Sequence, residues 1–183
     1  MSNKEPANVS DILDDFVYDE ILENMIEENM IEVVYIDIEW ALKQHDIVLK
    51  ESGGLSGILN LDQLESILTA IENNQYYPYF TEKITHLVFG ICEYHVFADA
   101  NKRTAIALGA YFLKINGYED CIDRFIIDME YLVVMLVEHK LKEIPGYSDE
   151  KNVLSEFIAC IIFDSDYPPE LDNLLMQYKA QTS

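Results

Sequence analysis

His95-Val96-Phe97-Ala98-Asp99-Ala100-Asn101-Lys102-Arg103-Thr104 is the stretch on which the rest of the chain hangs. An apolar-periodic segment precedes it and another begins directly after it, so the run reads as the connection between two helices. It supplies a general base (His95), a carboxylate (Asp99), a short polar turn and a basic pair. A turn that feeds a helix N-terminus leaves backbone N–H groups unpaired and pointing one way, which makes an anion site. Lys102 and Arg103 bring full positive charge into a chain with 34 acidic and 12 basic residues. In bare chemical terms, the run is a phosphate site with a base beside it.

The composition sets outer bounds. At 183 residues and 50% hydrophobic, the chain is expected to form one domain of ordinary size with enough apolar material for a core. A formal net charge of −22 argues against nonspecific attachment to nucleic acid or to an anionic membrane, and neither is expected as a partner. An anionic substrate such as ATP must then be drawn in by local positive charge and a divalent cation. No apolar run is long enough to span a bilayer, and MSNKEPANVSD lacks the apolar region of a signal peptide. Cys92, Cys121 and Cys160 form no metal-ligand spacing and cannot all pair with one another. Cys92 and Cys160 lie in apolar helical runs and read as buried core thiols, so a reducing cytoplasm is the expected compartment.

Outward from the motif, the pattern is helical. Residues 1–9 read as a disordered start. A helix is expected from Ser10, with Leu13, Val17, Ile21 and Met25 as its apolar stripe and Asp19, Glu20, Glu23, Glu27 and Glu28 opposite. No Lys or Arg occurs between Lys4 and Lys43, and such like charge needs a docking surface or a cationic partner. A second helix is expected from Asp37 to about Lys50, with His45 on its apolar side as a structural histidine. Gly53, Gly54 and Gly57 break it and permit a tight turn or short hairpin. Leu64, Ile67, Leu68 and Ile71 predict a helix over 61–72. Thr81 is the expected cap of the helix that delivers His95, whose buried stripe is Ile84, Leu87, Val88, Ile91 and Cys92. Thr104–Asn116 is a helix rich in small residues, suited to close packing, with Gly117 as terminator. Further helices are expected over Asp128–Lys142, Lys151–Phe163 and Glu170–Lys179.

HVFADANKR resembles the active-site loop of the Fic/Doc (Fido) superfamily, whose pattern is H-x-F-x-[D/E]-[G/A]-N-[G/K]-R. Ala100 and Lys102 bring it closer to the death-on-curing (Doc) branch. The Fic branch has Pro after the His and glycines at the positions of Ala100 and Lys102. The resemblance covers residues 35–164, setting 1–34 apart as an acidic helical extension and 165–183 as a C-terminal helical one. It implies an all-α Fido-fold helical bundle in which the motif joins two central helices. It also implies a short β-hairpin flap at Gly53-Gly54-Leu55 that holds the target polypeptide.

The same resemblance implies an enzyme that moves part of ATP onto a protein hydroxyl. His95 would be the base and Asp99 the ligand of Mg²⁺. Asn101, Lys102 and Arg103, with backbone N–H groups from Ala100 onward, would hold the phosphates, and Phe97 would anchor the loop. AMP-transferring Fic enzymes carry a second Arg three residues after the first, where this chain has Ile106. Doc-type toxins lack it too and pass the γ-phosphate to a translation elongation factor. Ala100, Lys102 and Ile106 together favour a Doc-like phosphotransferase, the toxin of a toxin–antitoxin pair, with a protein substrate and an antitoxin as partners. AMP transfer and a catalytically silent interaction module are the alternatives; His95 and Asp99 both being present argues against the second. Some Fic proteins carry an inhibitory helix of pattern [S/T]-x-x-x-E-[G/N]. Asn24-Met25-Ile26-Glu27-Glu28-Asn29 approaches it, which makes Glu28 and Asn29 candidate regulatory residues. With Asn in place of Ser/Thr and no second Arg to pair with, a packed amphipathic helix is the preferred reading.

Overall fold

Short polar side chains (Asp37, Asn60 and Asp149) set where three of the described helices begin. In the computed structural model, which describes residues 32–142 and 144–182, Val34–Ser183 is one unit. The expected helix from Ser10, and with it Glu28 and Asn29, lies outside the described residues. Helix α1 (Ile38–Ser52) starts where the Asp37 carboxylate accepts the Trp40 N–H at 2.7 Å, and Gly53 ends it at φ 73. Helix α2 (Leu61–Glu72) is capped by Asn60, whose side chain accepts from the Gln63 N–H at 3.1 Å. Its expected stripe of Leu64, Ile67, Leu68 and Ile71 is buried.

Helix α3 (Phe80–Glu93) begins one residue before the expected cap. Thr81 lies inside it, where its carbonyl accepts the Thr85 hydroxyl at 2.6 Å, and the Glu82 carboxylate reaches back to the Tyr79 N–H at 3.2 Å. Helix α4 (Asn101–Ile115) starts inside the motif rather than at Thr104, because Ala100 takes a left-handed turn that launches it at once. A short 3₁₀ turn (Glu119–Cys121) leads into α5, which spans Ile122–Val137 instead of Asp128–Lys142. Phe125, fully buried, is its first core anchor. Past Val137 the chain closes: His139 is left-handed at φ 57, the His139 N–H donates to Leu136 O, and the Lys140 N–H donates to Met135 O. That pair of bonds terminates the helix before Lys142. Helix α6 (Glu150–Ile162) is capped by Asp149, and α7 (Pro169–Thr182) begins on a proline.

The architecture is all-α among the described residues, with α3 at its centre against α2, α4, α5 and α6, and α4 against α1, α3 and α5. Ile84, Leu87, Val88 and Ile91 of α3 are fully buried. Close approach of α4 depends on Gly109, where a Cβ would lie 2.6 Å from Phe125 Cζ and 3.1 Å from Val88 Cγ2. The buried Lys83 donates to Ile71 O and Asn74 Oδ1, both at 2.7 Å, and so closes the end of α2. The last helix packs on α5, where the buried Asp128 accepts from Tyr167 Oη and Lys179 Nζ, both at 2.6 Å. All three cysteines are free, and burial, aided by Glu93, pushes the Cys92 thiol up to about 12. No described helix is long and apolar enough to cross a membrane.

The expected β-hairpin flap is not formed. The glycine-containing loop between α1 and α2 makes one isolated antiparallel bridge, Ile58 to Phe97, and no described residue belongs to a strand. Its backbone partner is the motif: the Leu59 and Asn60 N–H groups donate to Val96 O at 2.8 and 3.1 Å, and the Ala98 N–H donates to Gly57 O at 2.9 Å. The loop's paired backbone groups thus face the motif and do not fold back on the loop itself.

Candidate active site

Two left-handed residues stand at the two ends of the loop between α3 and α4, His95 at φ 47 and Ala100 at φ 60. Non-glycine residues hold that conformation only where the surroundings over-determine it. The surroundings here are dense. Val96 and Phe97 are buried, and the Phe97 ring stacks on His45 of α1 with centroids 3.8 Å apart and planes 9° from parallel. His45 Nδ1 lies 2.9 Å from Thr104 Oγ1 on α4, so one histidine ties α1 to both sides of the loop. Burial, with a smaller push from Arg103, lowers the His45 pKa against the opposing pull of Asp46 and Asp99.

The Asn101 carboxamide is taken up by Phe97. Its Oδ1 accepts the Phe97 N–H at 2.9 Å and its Nδ2 donates to the Phe97 carbonyl at 2.8 Å. In this geometry Asn101 shapes the loop, and its backbone N–H is what it offers to an anion. The Ala100 N–H is also occupied, by its neighbour's carboxylate. The first intrahelical bond of α4 runs from Thr104 N to Ala100 O at 2.9 Å, which leaves the N–H groups of Asn101, Lys102 and Arg103 without intrahelical acceptors. Three such N–H groups at a helix N-terminus are the kind of donor set that suits an anion.

Asp99 Oδ1 accepts the Ala100 N–H at 2.6 Å and its Oδ2 accepts the Leu55 N–H at 3.1 Å. The Ala100 and Leu55 amides, in that order, hold its carboxyl below the usual carboxylate range, with Arg103 assisting against some desolvation. It is therefore ionised at neutral pH. Gly54 sits so close that a Cβ there would lie 2.8 Å from Asp99 Oδ2. Arg103 reaches the other way: Nη1 donates to Ser52 O at 3.2 Å, to Gly53 O at 3.0 Å and to the Ser52 hydroxyl, while Nη2 stands 3.9 Å from Asp99 Oδ1. Lys102 and His95 are exposed. Gly53, Gly54 and Leu55 thus adjoin Asp99 and Arg103 directly.

The donor set suits a hard divalent cation held in part by phosphate. Mg²⁺ commonly takes one or two carboxylates and completes its shell with water and substrate oxygens. Asp99 is one such ionised carboxylate, half-exposed beside the N-terminus of α4. No group of three His, Cys, Asp or Glu side chains able to hold a metal by itself occurs among the described residues. Ser52 and Thr104 were not singled out by the sequence, because each acquires its part only through a contact with a distant segment. Ile106 occupies the position three residues after Arg103 and is half-buried on α4.

Comparison with known proteins agrees in the same region. The Fic/DOC family model matches residues 35–113, from just before α1 through most of α4. The protein kinase doc of Escherichia phage P1 is 32% identical over 89 residues, covering 46% of this chain and 70% of that protein. The chain belongs to the Fic/DOC family.

Proposed function

We propose that this chain is a Doc-like protein phosphotransferase that moves the γ-phosphate of ATP onto a Ser or Thr hydroxyl of a target protein. Residues 35–164 form the catalytic core in this reading, with 1–34 and 165–183 as extensions. The observation that carries it is an ionised Asp99 directly before the open N–H groups of the α4 N-terminus, with an exposed His95 on the same loop and Ile106 where an AMP-transferring enzyme has Arg. The kinase name of the phage relative points the same way.

His95 takes the proton of the incoming hydroxyl as its oxygen bonds to the γ-phosphorus, and the bond from that phosphorus to the bridging oxygen breaks to release ADP. Lys102, Arg103 and the three α4 N–H groups stabilise the charge that spreads over the transferring group. Asp99 would hold Mg²⁺, which would neutralise phosphate charge there. Phe97, fixed by His45 and Asn101, keeps the loop in register, and the 53–55 segment presents the target polypeptide. The expected setting is the cytoplasm, with a translation elongation factor as target and an antitoxin on a separate chain as the restraining partner.

Incubation with Mg²⁺ and ATP labelled separately at the α and γ positions, against a cell lysate, tests the reading. Protein label from γ alone supports it. Label from α makes the enzyme an AMP transferase, and none from either leaves an interaction module.

A further inference from the structure

Ser52 is the last residue of α1, and the reaction set out above does not use it. Its hydroxyl donates to Val48 O at 2.6 Å, which occupies its one hydrogen and leaves its lone pairs as acceptors. Arg103 Nη1 donates to that hydroxyl and to the carbonyls of Ser52 and Gly53 at 3.2 and 3.0 Å. All three acceptors engage the same nitrogen. Because a guanidinium is planar and rigid, fixing Nη1 fixes the whole fork. Nη2 is turned toward Asp99 Oδ1 at 3.9 Å, and the edge formed by Nη2 and Nε keeps donors for an anion. The negative end of the α1 dipole further favours a cation at this position.

We propose that Ser52 is a positioning residue for the transfer reaction: with the Gly53 carbonyl, it sets the plane of Arg103 before nucleotide arrives. The inference rests on the reading of Arg103 as a phosphate contact. A donor already aimed needs no reorganisation when the phosphate binds, and a bidentate edge is the form in which Arg recognises phosphate. Ser52→Ala leaves the guanidinium with carbonyl acceptors alone and returns part of its rotational freedom. The end of α1 itself is exposed and loses little.

The test combines calorimetric binding of Mg²⁺ with a non-hydrolysable ATP analogue, thermal unfolding, and ¹⁵N NMR of the Arg103 guanidinium. It uses the full chain and four variants: Ser52→Ala, Ser52→Thr, Arg103→Lys and Ser52→Ala with Arg103→Lys. Ser52→Ala is expected to weaken analogue binding about three- to ten-fold. It should leave the melting temperature in place and free the guanidinium's rotation, and Ser52→Thr should restore both affinity and restraint. In the Arg103→Lys background, Ser52→Ala should change affinity no further. Unchanged affinity in Ser52→Ala, an equal loss in the Arg103→Lys background, or a freely rotating guanidinium in the parent chain overturns the assignment. If the parent chain shows a restrained guanidinium yet binds no nucleotide, the phosphate-site reading itself fails and the role of Ser52 falls with it.

Discussion

Asp99 Oδ2 accepts the backbone N–H of Leu55 at 3.1 Å, across 44 residues of sequence. With Arg103 gripping Ser52 and Gly53, it locks the glycine loop to the motif, so loop and motif form one body. Gly54 is the closest approach. At φ 133 it holds a conformation that side chains rarely adopt, and a Cβ would press on both Asp99 Oδ2 and Leu49 Cδ2 at 2.8 Å. Gly54→Ala should therefore destabilise the fold by about 1–3 kcal/mol and lower transfer at least roughly ten-fold. Gly53→Ala meets no atom within 4 Å and pays only for its φ of 73, so it should lose about 1 kcal/mol and keep most activity. Urea unfolding beside a transfer assay separates the two.

His45→Ala removes the ring that backs Phe97 and the contact with Thr104. A loss of about 2–4 kcal/mol is expected, with activity falling further than stability because the loop moves. His45→Phe keeps an aromatic surface beneath Phe97 and should recover most of the stability. Comparison of melting temperature and transfer rate in the two variants checks this.

His86 accepts at Nδ1 from Tyr77 Oη at 3.0 Å and from Lys151 Nζ at 3.1 Å, and burial with the Lys151 charge lowers it from 6.5 to about 4. Folding holds it neutral, so as pH falls the unfolded chain takes up the proton first. Stability should drop by roughly 2–3 kcal/mol between pH 6.5 and 4 and level off below, where both states are protonated. Urea midpoints across that range, compared with a His86→Leu variant, should show the slope flattened in the variant.

Gly109→Ala should cost about 1–3 kcal/mol, since its Cβ would lie 2.6 Å from Phe125 Cζ and 3.0 Å from Cε1. Adding Phe125→Leu should recover part of the loss, a coupling readable in a double-mutant cycle.

The helices legible in the sequence were those whose signals are local. Asp37 marks the start of α1, and the stripe from Leu64 to Ile71 delimits α2. Where a residue's partner is distant, local reading misplaced it. Asp128 resembles a helix cap in sequence, but it is a buried acceptor for Tyr167 and Lys179, and α5 runs straight through it. The glycines 53, 54 and 57 announce a turn without saying what it bonds to, and its partner is the motif some 40 residues on. The motif put Asp99 and Arg103 one helical turn apart, which is where the structure has them face each other. It did not show that Asn101 spends its carboxamide on Phe97 or that Arg103 leans on Ser52, because both are tertiary facts.

The central claim is that a single phosphate, and not AMP, passes from ATP to a protein hydroxyl with His95 as base. Intact-mass spectrometry of a purified translation elongation factor, after incubation with this chain, Mg²⁺ and ATP, tests it most directly. The account predicts a gain of one phosphate on a Ser or Thr, absent with His95→Ala. A gain of one AMP, or a phosphate gain that persists in His95→Ala, would contradict it.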